Sequence, residues 1–362
     1  MRKNIIIILI LMLSVFPCAA EDASKYPMTI TDSAGREITI PMPVERIIVL
    51  NSDAAEAVAI LGCTDKIVGV SDTVKNKEYY FPELKDRQFV GKWNDPDYEI
   101  MAEIAKKGDK IVPDILVIAY TSPGKPYGVE EVDKKLSPFG INVVGFDLYK
   151  PESMISEILA LGRILGREEE AERYAEWYER VKADVERAVE NTDVPKVYAE
   201  STSKGGAYTT HGPGSGVDQL ISIARGRNIA NDLQGAYPVV DWEWVISENP
   251  DVIIKKVSYT DRTPYPFGWE KAPSVDSVKL EGIRNEIIGR SGSENINAVK
   301  KNRVYLMNWE ITAGLDDVVG LAYMAKILHP EIDLNTGSIY QEYLQMLGVE
   351  YPKGRIFVYP EV

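Results

Sequence analysis

Two histidines, two cysteines and a glycine-rich tract are the features of this 362-residue chain whose types and spacing invite a chemical reading. His211 lies in Thr209-Thr210-His211-Gly212-Pro213-Gly214-Ser215-Gly216, downstream of Ser201-Thr202-Ser203-Lys204-Gly205-Gly206 and Tyr208. At first sight the tract is a phosphate cradle, yet it carries neither G-x-x-x-x-G-K-[ST] nor G-x-G-x-x-G directly after a strand. It reads either as a flexible loop ahead of a helix over Val217 to Ala224 or as a ligand-facing rim. Ser215 and His211 are merely close in sequence. No carboxylate can be assigned to orient the imidazole as a base, so an enzyme is the poorer alternative. A free metal ion is also poorly served, because a first shell needs several histidines with carboxylates. The other histidine, His329, precedes Pro330 at a helix end. A carboxylate/tyrosinate site for ferric ion stays open. Cys63 follows an apolar helix pattern with no base near it and reads as a small core residue.

Charge and the front end narrow the partners. The formal net charge is -14, from 41 basic and 55 acidic residues, with no Lys/Arg block. A phosphate backbone needs a basic footprint, so nucleic acid is not expected as a partner. Residues 1–20 read as a secretory leader, with Arg2 and Lys3, the apolar run Ile5 to Phe16, and small residues Cys18-Ala19-Ala20 before Glu21. That run is too short to span a bilayer. The protein is therefore expected to be exported, to the periplasm or its equivalent. A retained and lipid-anchored Cys18 is the alternative, with Pro17 standing where a lipobox wants a small residue.

The elements that must position these groups follow from periodicity. Alternating runs at Thr29 to Thr31 and Glu37 to Ile40, around Asp32-Ser33-Ala34-Gly35, signal a hairpin. The β-branched run Arg46 to Leu50 leads into Asn51-Ser52-Asp53, where Ser52 or Asp53 can cap a helix over Ala54 to Leu61 closed by Gly62. Strands at Ile67 to Val70, Ile115 to Ala119 and Ile141 to Gly145, separated by helices, predict a mainly parallel sheet covered on both faces. Ligands of such sheets bind beyond the carboxyl ends of the strands. Those ends present Asn51, Ser71, Tyr120 and Phe146-Asp147.

A second set follows at Lys196 to Glu200, Val252 to Lys255 and Arg303 to Asn308, with a short helix at Trp242 to Ile246. The units Tyr98 to Ala119 and Trp242 to Lys255 are alike, each with an early Glu and an Asp just before the strand. The aromatic, Gly/Pro-rich stretch from Ser258 to Pro273 holds Tyr259, Arg262, Tyr265, Phe267 and Trp269, and either packs over a core or is exposed for binding. Between the two sets, Pro151 to Asn191 shows apolar faces at helical spacing: Met154, Ile155, Ile158, Leu159 and Leu165, then Tyr174, Trp177, Tyr178, Val181 and Val185. Pro151 can open the first helix and Gly166 marks a break before the second. The expected fold is α/β. Two Rossmann-like lobes, residues 21–150 and 192–362, are joined by a single long helical backbone over residues 151–191, with the ligand cleft between them.

Several segments together resemble a known family. Thr31-Asp32-Ser33-Ala34-Gly35-Arg36-Glu37-Ile38-Thr39-Ile40-Pro41, Arg46 to Leu50, Glu56, Leu61-Gly62, Ile67 to Val70, Asp114 to Ile118 and Asn249 to Ile254 resemble the substrate-binding proteins of ABC importers for iron-siderophores, haem and cobalamin. The resemblance implies capture of a metal chelate, an iron-siderophore first and cobalamin or haem next, with no intrinsic cofactor. It implies a monomer that delivers this ligand to an ABC permease dimer with its cytoplasmic ATPases. Glu99 in Asp97-Tyr98-Glu99-Ile100 and Glu243 in Asp241-Trp242-Glu243-Trp244 match the two glutamates, one per lobe, that dock on the permease; the plain alternative is a pair of first-turn glutamates favoured by the helix dipole. The implied rim is Asn51, Ser71, Trp93, Tyr120 and Asp147 on one side, and Tyr208, His211, Tyr237, Arg262, Trp269 and Trp309 on the other. Aromatics suit a large flat chelate, and Arg262 or Lys204 can pair with its carboxylates or phosphate. His211, in a loop expected to be exposed, is the candidate axial ligand to the chelated metal.

Overall fold

The computed structural model describes residues 23–77, 80–257, 267–269, 277–351 and 354–362. The alternating run at the front forms an antiparallel hairpin, β1 (Met28–Thr31) with β2 (Glu37–Ile40), turned at Gly35 with φ 76°. β3 (Arg46–Val49), α1 (Ser52–Ile60), β4 (Ile67–Val70), α2 (Asp72–Asn76) and β5 (Gln88–Phe89) follow. Two small ribbons, β6 with β7 (Gly91–Lys92, Asp95–Pro96) and β8 with β9 (Lys106–Lys107, Lys110–Ile111), flank α3 (Tyr98–Ile104). β10 (Ile115–Ala119), α4 (Val129–Leu136) and β11 (Asn142–Gly145) complete the first sheet. Its order is β11-β10-β3-β4-β5, every neighbouring pair parallel. Every residue of β10 is buried, as a strand covered on both faces requires. The cap of α1 is Asn51 rather than Ser52 or Asp53. Asn51 is the last residue with extended backbone, and its side chain accepts the Ala54 amide at 2.7 Å, while Ser52 is already helical.

The crosspiece is α5 (Met154–Ile164) and α6 (Glu168–Val189), broken at Gly166, whose φ of 63° a β-carbon would oppose. α5 starts at Met154 rather than at Pro151, because the Ser153 and Met154 amides both donate to the Lys150 carbonyl and form a turn first. At 1.5 Å per residue α6 is about 33 Å long. Its buried face is Tyr174, Trp177, Tyr178, Val181 and Val185, as the spacing predicts.

The second sheet is built from β12 (Lys196–Lys204), β13 (Ala207–Thr210), β14 (Arg227–Asn228), β15 (Val239–Val240), β16 (Val252–Val257), β17 (Val304–Asn308) and β18 (Val358–Tyr359). Its helices are α7 (Gly216–Ile223), α8 (Trp242–Glu248), α9 (Ser277–Ile288), α10 (Asn297–Lys300), α11 (Asp317–Leu328) and α12 (Thr336–Leu347). The order is β15-β13-β12-β16-β17-β18, with β12, β16 and β17 parallel in the middle and β14 beside β12. The first part of the Gly/Ser/Thr tract is a hairpin, in which β12 runs through Ser201 to Lys204 and turns at Gly205 and Gly206, both at positive φ, into antiparallel β13; only His211 to Ser215 form a turn ahead of α7.

One apolar cluster faces the crosspiece from both lobes, running from Val58 and Phe146 through Tyr174 and Val181 to Leu220 and Met324. Two further clusters fill the outer faces of the two sheets. Each fully buried Val or Leu in these clusters contributes about 1.5–3 kcal/mol. The lobes are thus cemented through α6.

Candidate ligand-binding cleft

The lobes meet at the carboxyl ends of their strands. Asp53, just past β3, comes so close to the loop after β17 that a β-carbon on Gly314 would lie 3.1 Å from its Oδ1. The Tyr343 hydroxyl of α12 donates to Glu56 of α1 at 2.7 Å, and the ring of Tyr80 meets Trp269 edge-on at 5.1 Å. Around this floor collect Asp53, Glu56, Glu310 and Asp316, facing the ammonium of Lys77, which donates to Glu56 at 3.0 Å. Burial, then the neighbouring Glu56 charge, raises Asp53 to about 6 against the pull of Lys77. Burial likewise raises Glu310 and Asp316, while the surrounding carboxylates hold the Lys77 ammonium charged. Sequence reading missed this floor, although Glu56 inside the otherwise apolar helix Ala54 to Leu61 was its visible signal.

On the first lobe's wall, sheet order reverses between β3 and β10, and there the Tyr120 hydroxyl donates to Asp53 Oδ2 at 2.8 Å. Tyr149, Tyr120, Trp93 and Tyr127 make a chain of edge-on rings at 5.5, 6.3 and 4.9 Å. The Trp93 amide donates to Asp72 at 2.8 Å. Asn51 and Ser71 do lie at strand ends but are fully buried. Asn51 spends its oxygen on the α1 cap and leaves Nδ2 without a partner among the described residues. Asp147 is not a rim group: it accepts from the Thr121 amide and hydroxyl and from Lys150, clasping β11 to β10.

On the second lobe's wall stand His211, Lys256, Trp309 and Tyr237. His211 is 1 % exposed, not on an open loop. Its amide donates to Ala199 and its carbonyl accepts from Asn228, so the turn after β13 is folded into the sheet. Neither ring nitrogen has a partner among the described residues. The imidazole lies 5.7 Å from the Tyr237 ring and 6.3 Å from Trp309, centroid to centroid. Burial and the Lys256 charge lower it to about 3, so it is neutral. Tyr237 is 59 % and Trp309 36 % exposed.

Two expected rim residues belong elsewhere. Tyr208 packs on Trp242 at 5.6 Å under the Arg290 guanidinium, which is ion-paired to Glu200. Trp269 donates from its indole to Tyr340 at 2.5 Å and braces the join. Arg262, with Tyr259 and Tyr265, lies outside the described residues, and so does the leader with Cys18. Lys204 is exposed at the hairpin tip. Among the described residues no group of three or more His, Cys, Asp or Glu is placed to hold a metal ion, and no helix is long and apolar enough to cross a membrane. A cavity of about 450 Å³ opens beside the aromatic wall, lined by Tyr149, Tyr178, Lys182, Gln219, Thr312 and Asp317.

Glu99 and Glu243 occupy equivalent places. Each is exposed in the first turn of a short helix, α3 or α8. Asp97 caps the one by accepting the Ile100 amide at 3.1 Å, and Asp241 the other by accepting the Trp244 amide at 2.8 Å.

Residues 47–309 match the periplasmic binding protein family. A cobalamin-binding protein of Halobacterium salinarum is 29% identical over 291 residues, covering 79% of this chain and 71% of the relative. The molybdate-binding protein MolA of Haemophilus influenzae is 24% identical, covering 87% and 89%. Among solved structures, the TroA-like periplasmic binding protein FepB from Veillonella parvula superposes with a TM-score of 0.75 at 22% identity, over 92% of this chain and 99% of that one. With two α/β sheets on a helical crosspiece and the family match across both, the chain belongs to the periplasmic binding protein family, in the class that serves ABC importers as solute-binding components rather than enzymes.

Proposed function

We propose that this protein captures a metal-associated solute outside the cytoplasmic membrane and delivers it to an ABC permease. The observation that carries the reading is the meeting of a parallel sheet and the parallel centre of a mixed sheet at their carboxyl ends, with aromatic rims on either side of the join. A corrinoid is the first ligand candidate and a simple metal oxyanion the second, on the names of the two relatives. This moves the ligand away from an iron-siderophore, which the sequence favoured. Trp93, Tyr120, Tyr237 and Trp309 offer flat area at low entropic cost. Glu99 and Glu243 are the docking points for the permease, one per lobe, with Cys18 as the site of a lipid anchor if it is retained.

The ligand test is direct. The mature protein, purified from its native source, is expected to carry or to bind a corrinoid, seen in its visible spectrum and mass, or molybdate, seen by elemental analysis. Tight binding of a sugar or amino acid with neither of these overturns the ligand reading. Separately, Glu99→Lys together with Glu243→Lys is expected to abolish coupled uptake in reconstituted vesicles and leave solution affinity unchanged. Uptake that survives both reversals removes the docking assignment.

A further inference from the structure

Lys256 should not be where it is without a reason. It sits in β16 as the second of two adjacent lysines, so the two side chains leave opposite faces of the strand. Lys255 goes to Glu200 at 2.5 Å, beside the bidentate Arg290 pair on the same carboxylate. Lys256 goes the other way. It is 6 % exposed, and its Nζ lies 2.8 Å from the centroid of the Trp309 ring with no carboxylate or carbonyl partner among the described residues. The same ring lies 6.3 Å, centroid to centroid, from His211, whose two ring nitrogens are unpartnered among the described residues. A buried ammonium without a counter-charge is expensive. The ring face offsets only part of that cost.

We infer that Lys256 and the neutral His211 N–H, backed by Trp309, form a subsite that binds a tetrahedral oxyanion of the transported solute. The ammonium supplies the charge and the imidazole a second donor, both held rigid by the strand ends that carry them. This inference rests on the cleft being the ligand site, and it names what the two candidate ligand classes share: cobalamin carries a phosphodiester, and molybdate is itself such an anion. Burial pulls Lys256 down to about 6. Lys255 of the same strand and Arg290 just beyond α9 are committed to Glu200 on the opposite face, and among the described residues His211 is the titratable group whose charge couples to Lys256. Anion capture near pH 7.5 therefore draws a proton onto Lys256.

The test is calorimetric titration of the mature protein at low salt with molybdate, inorganic phosphate, cyanocobalamin and cobinamide, the last lacking the phosphodiester. Binding of a free oxyanion, or of cyanocobalamin at least tenfold more tightly than cobinamide, is expected. Lys256→Met should weaken that binding at least tenfold without lowering the melting temperature, since it removes a buried amine with no hydrogen-bond partner among the described residues. Lys256→Gln replaces it should the methionine variant not fold. On the unaltered protein, titrations in buffers of different ionisation enthalpy should show proton uptake on binding. The inference is overturned by equal affinity for cyanocobalamin and cobinamide with no oxyanion binding, by unchanged affinity in the Lys256 variant, by absence of proton uptake, or by no binding of any probe. Phosphate bound through Lys256 alongside no affinity for molybdate or either corrinoid would instead leave the subsite standing and remove the ligand reading above it.

Discussion

At the scale of single residues, the cleft floor holds, among the described residues, more carboxylates than the Lys77 ammonium can neutralise. Asp53 shows the consequence most simply, because its causes are few: burial and the Glu56 charge raise it to about 6, with Lys77 and the Tyr120 hydroxyl pulling the other way. Its folded-state pKa is above its unfolded value, so the folded protein holds a proton that the unfolded chain releases. The stability linked to that proton is present below about pH 4 and is lost as pH rises toward 6. Asp53→Asn keeps an acceptor for Tyr120 and abolishes the titration. Urea unfolding should therefore show the variant gaining on the unaltered protein between pH 4 and pH 7.5, by on the order of 2 kcal/mol. An equal stability difference at both values would mean that Asp53 ionises normally. The floor is thus kept at a cost to stability, the usual mark of a site retained for binding.

At the scale of elements, the features legible in the sequence were those set by local periodicity. The 3.6-residue spacing of Tyr174, Trp177, Tyr178, Val181 and Val185 found α6, and the break at Gly166 follows from its φ of 63°. Gly166→Ala forces a β-carbon into the left-handed region and should cost about 1–2 kcal/mol in thermal or urea unfolding, with helix content by circular dichroism unchanged. No loss of stability would show that the break is set by tertiary packing and not by this residue. Strand ends were legible for the same local reason, which placed Asn51, Ser71, Tyr120 and Asp147 at the carboxyl edge of the first sheet. What periodicity could not supply was the identity of the neighbour across space. Asn51 turned out to cap α1, Asp147 to clasp two strands, and Trp269 to brace Tyr340. The glycines around His211 mark a hairpin tip and close backbone approaches rather than an open loop: a β-carbon on Gly212 would meet the Gly235 carbonyl at 2.3 Å. Lys256, like the floor marked by Glu56, was an omission with a local signal, since two adjacent lysines in an apolar strand cannot both face water.

At the scale of the whole molecule, the crosspiece decides how the protein moves. A hinge between lobes needs few contacts to cross it, yet here one apolar cluster includes residues of both lobes and of α6. Polar ties cross as well: Arg167 to the Leu61 carbonyl, Tyr174 to the Leu315 carbonyl at 2.7 Å, Trp177 to Glu342 at 3.0 Å, and Tyr343 to Glu56. Wide opening would expose the buried carboxylates of the floor and strip part of that shared core. The motion left is a small rocking of the lobes about α6, with ligand entering from the aromatic rims and not through a closing jaw. Spin labels at Lys135→Cys and Lys300→Cys, exposed on the first and second lobes, report this distance. Saturation with cyanocobalamin, or with molybdate if that is what binds, should shift the mean separation by no more than about 2 Å and narrow its distribution. A closure of roughly 10 Å or more, as in hinge-type domain closure, would mean that the shared core separates after all. The rigid reading would then fail, and with it the idea that α6 holds Glu99 and Glu243 at one fixed spacing for the permease.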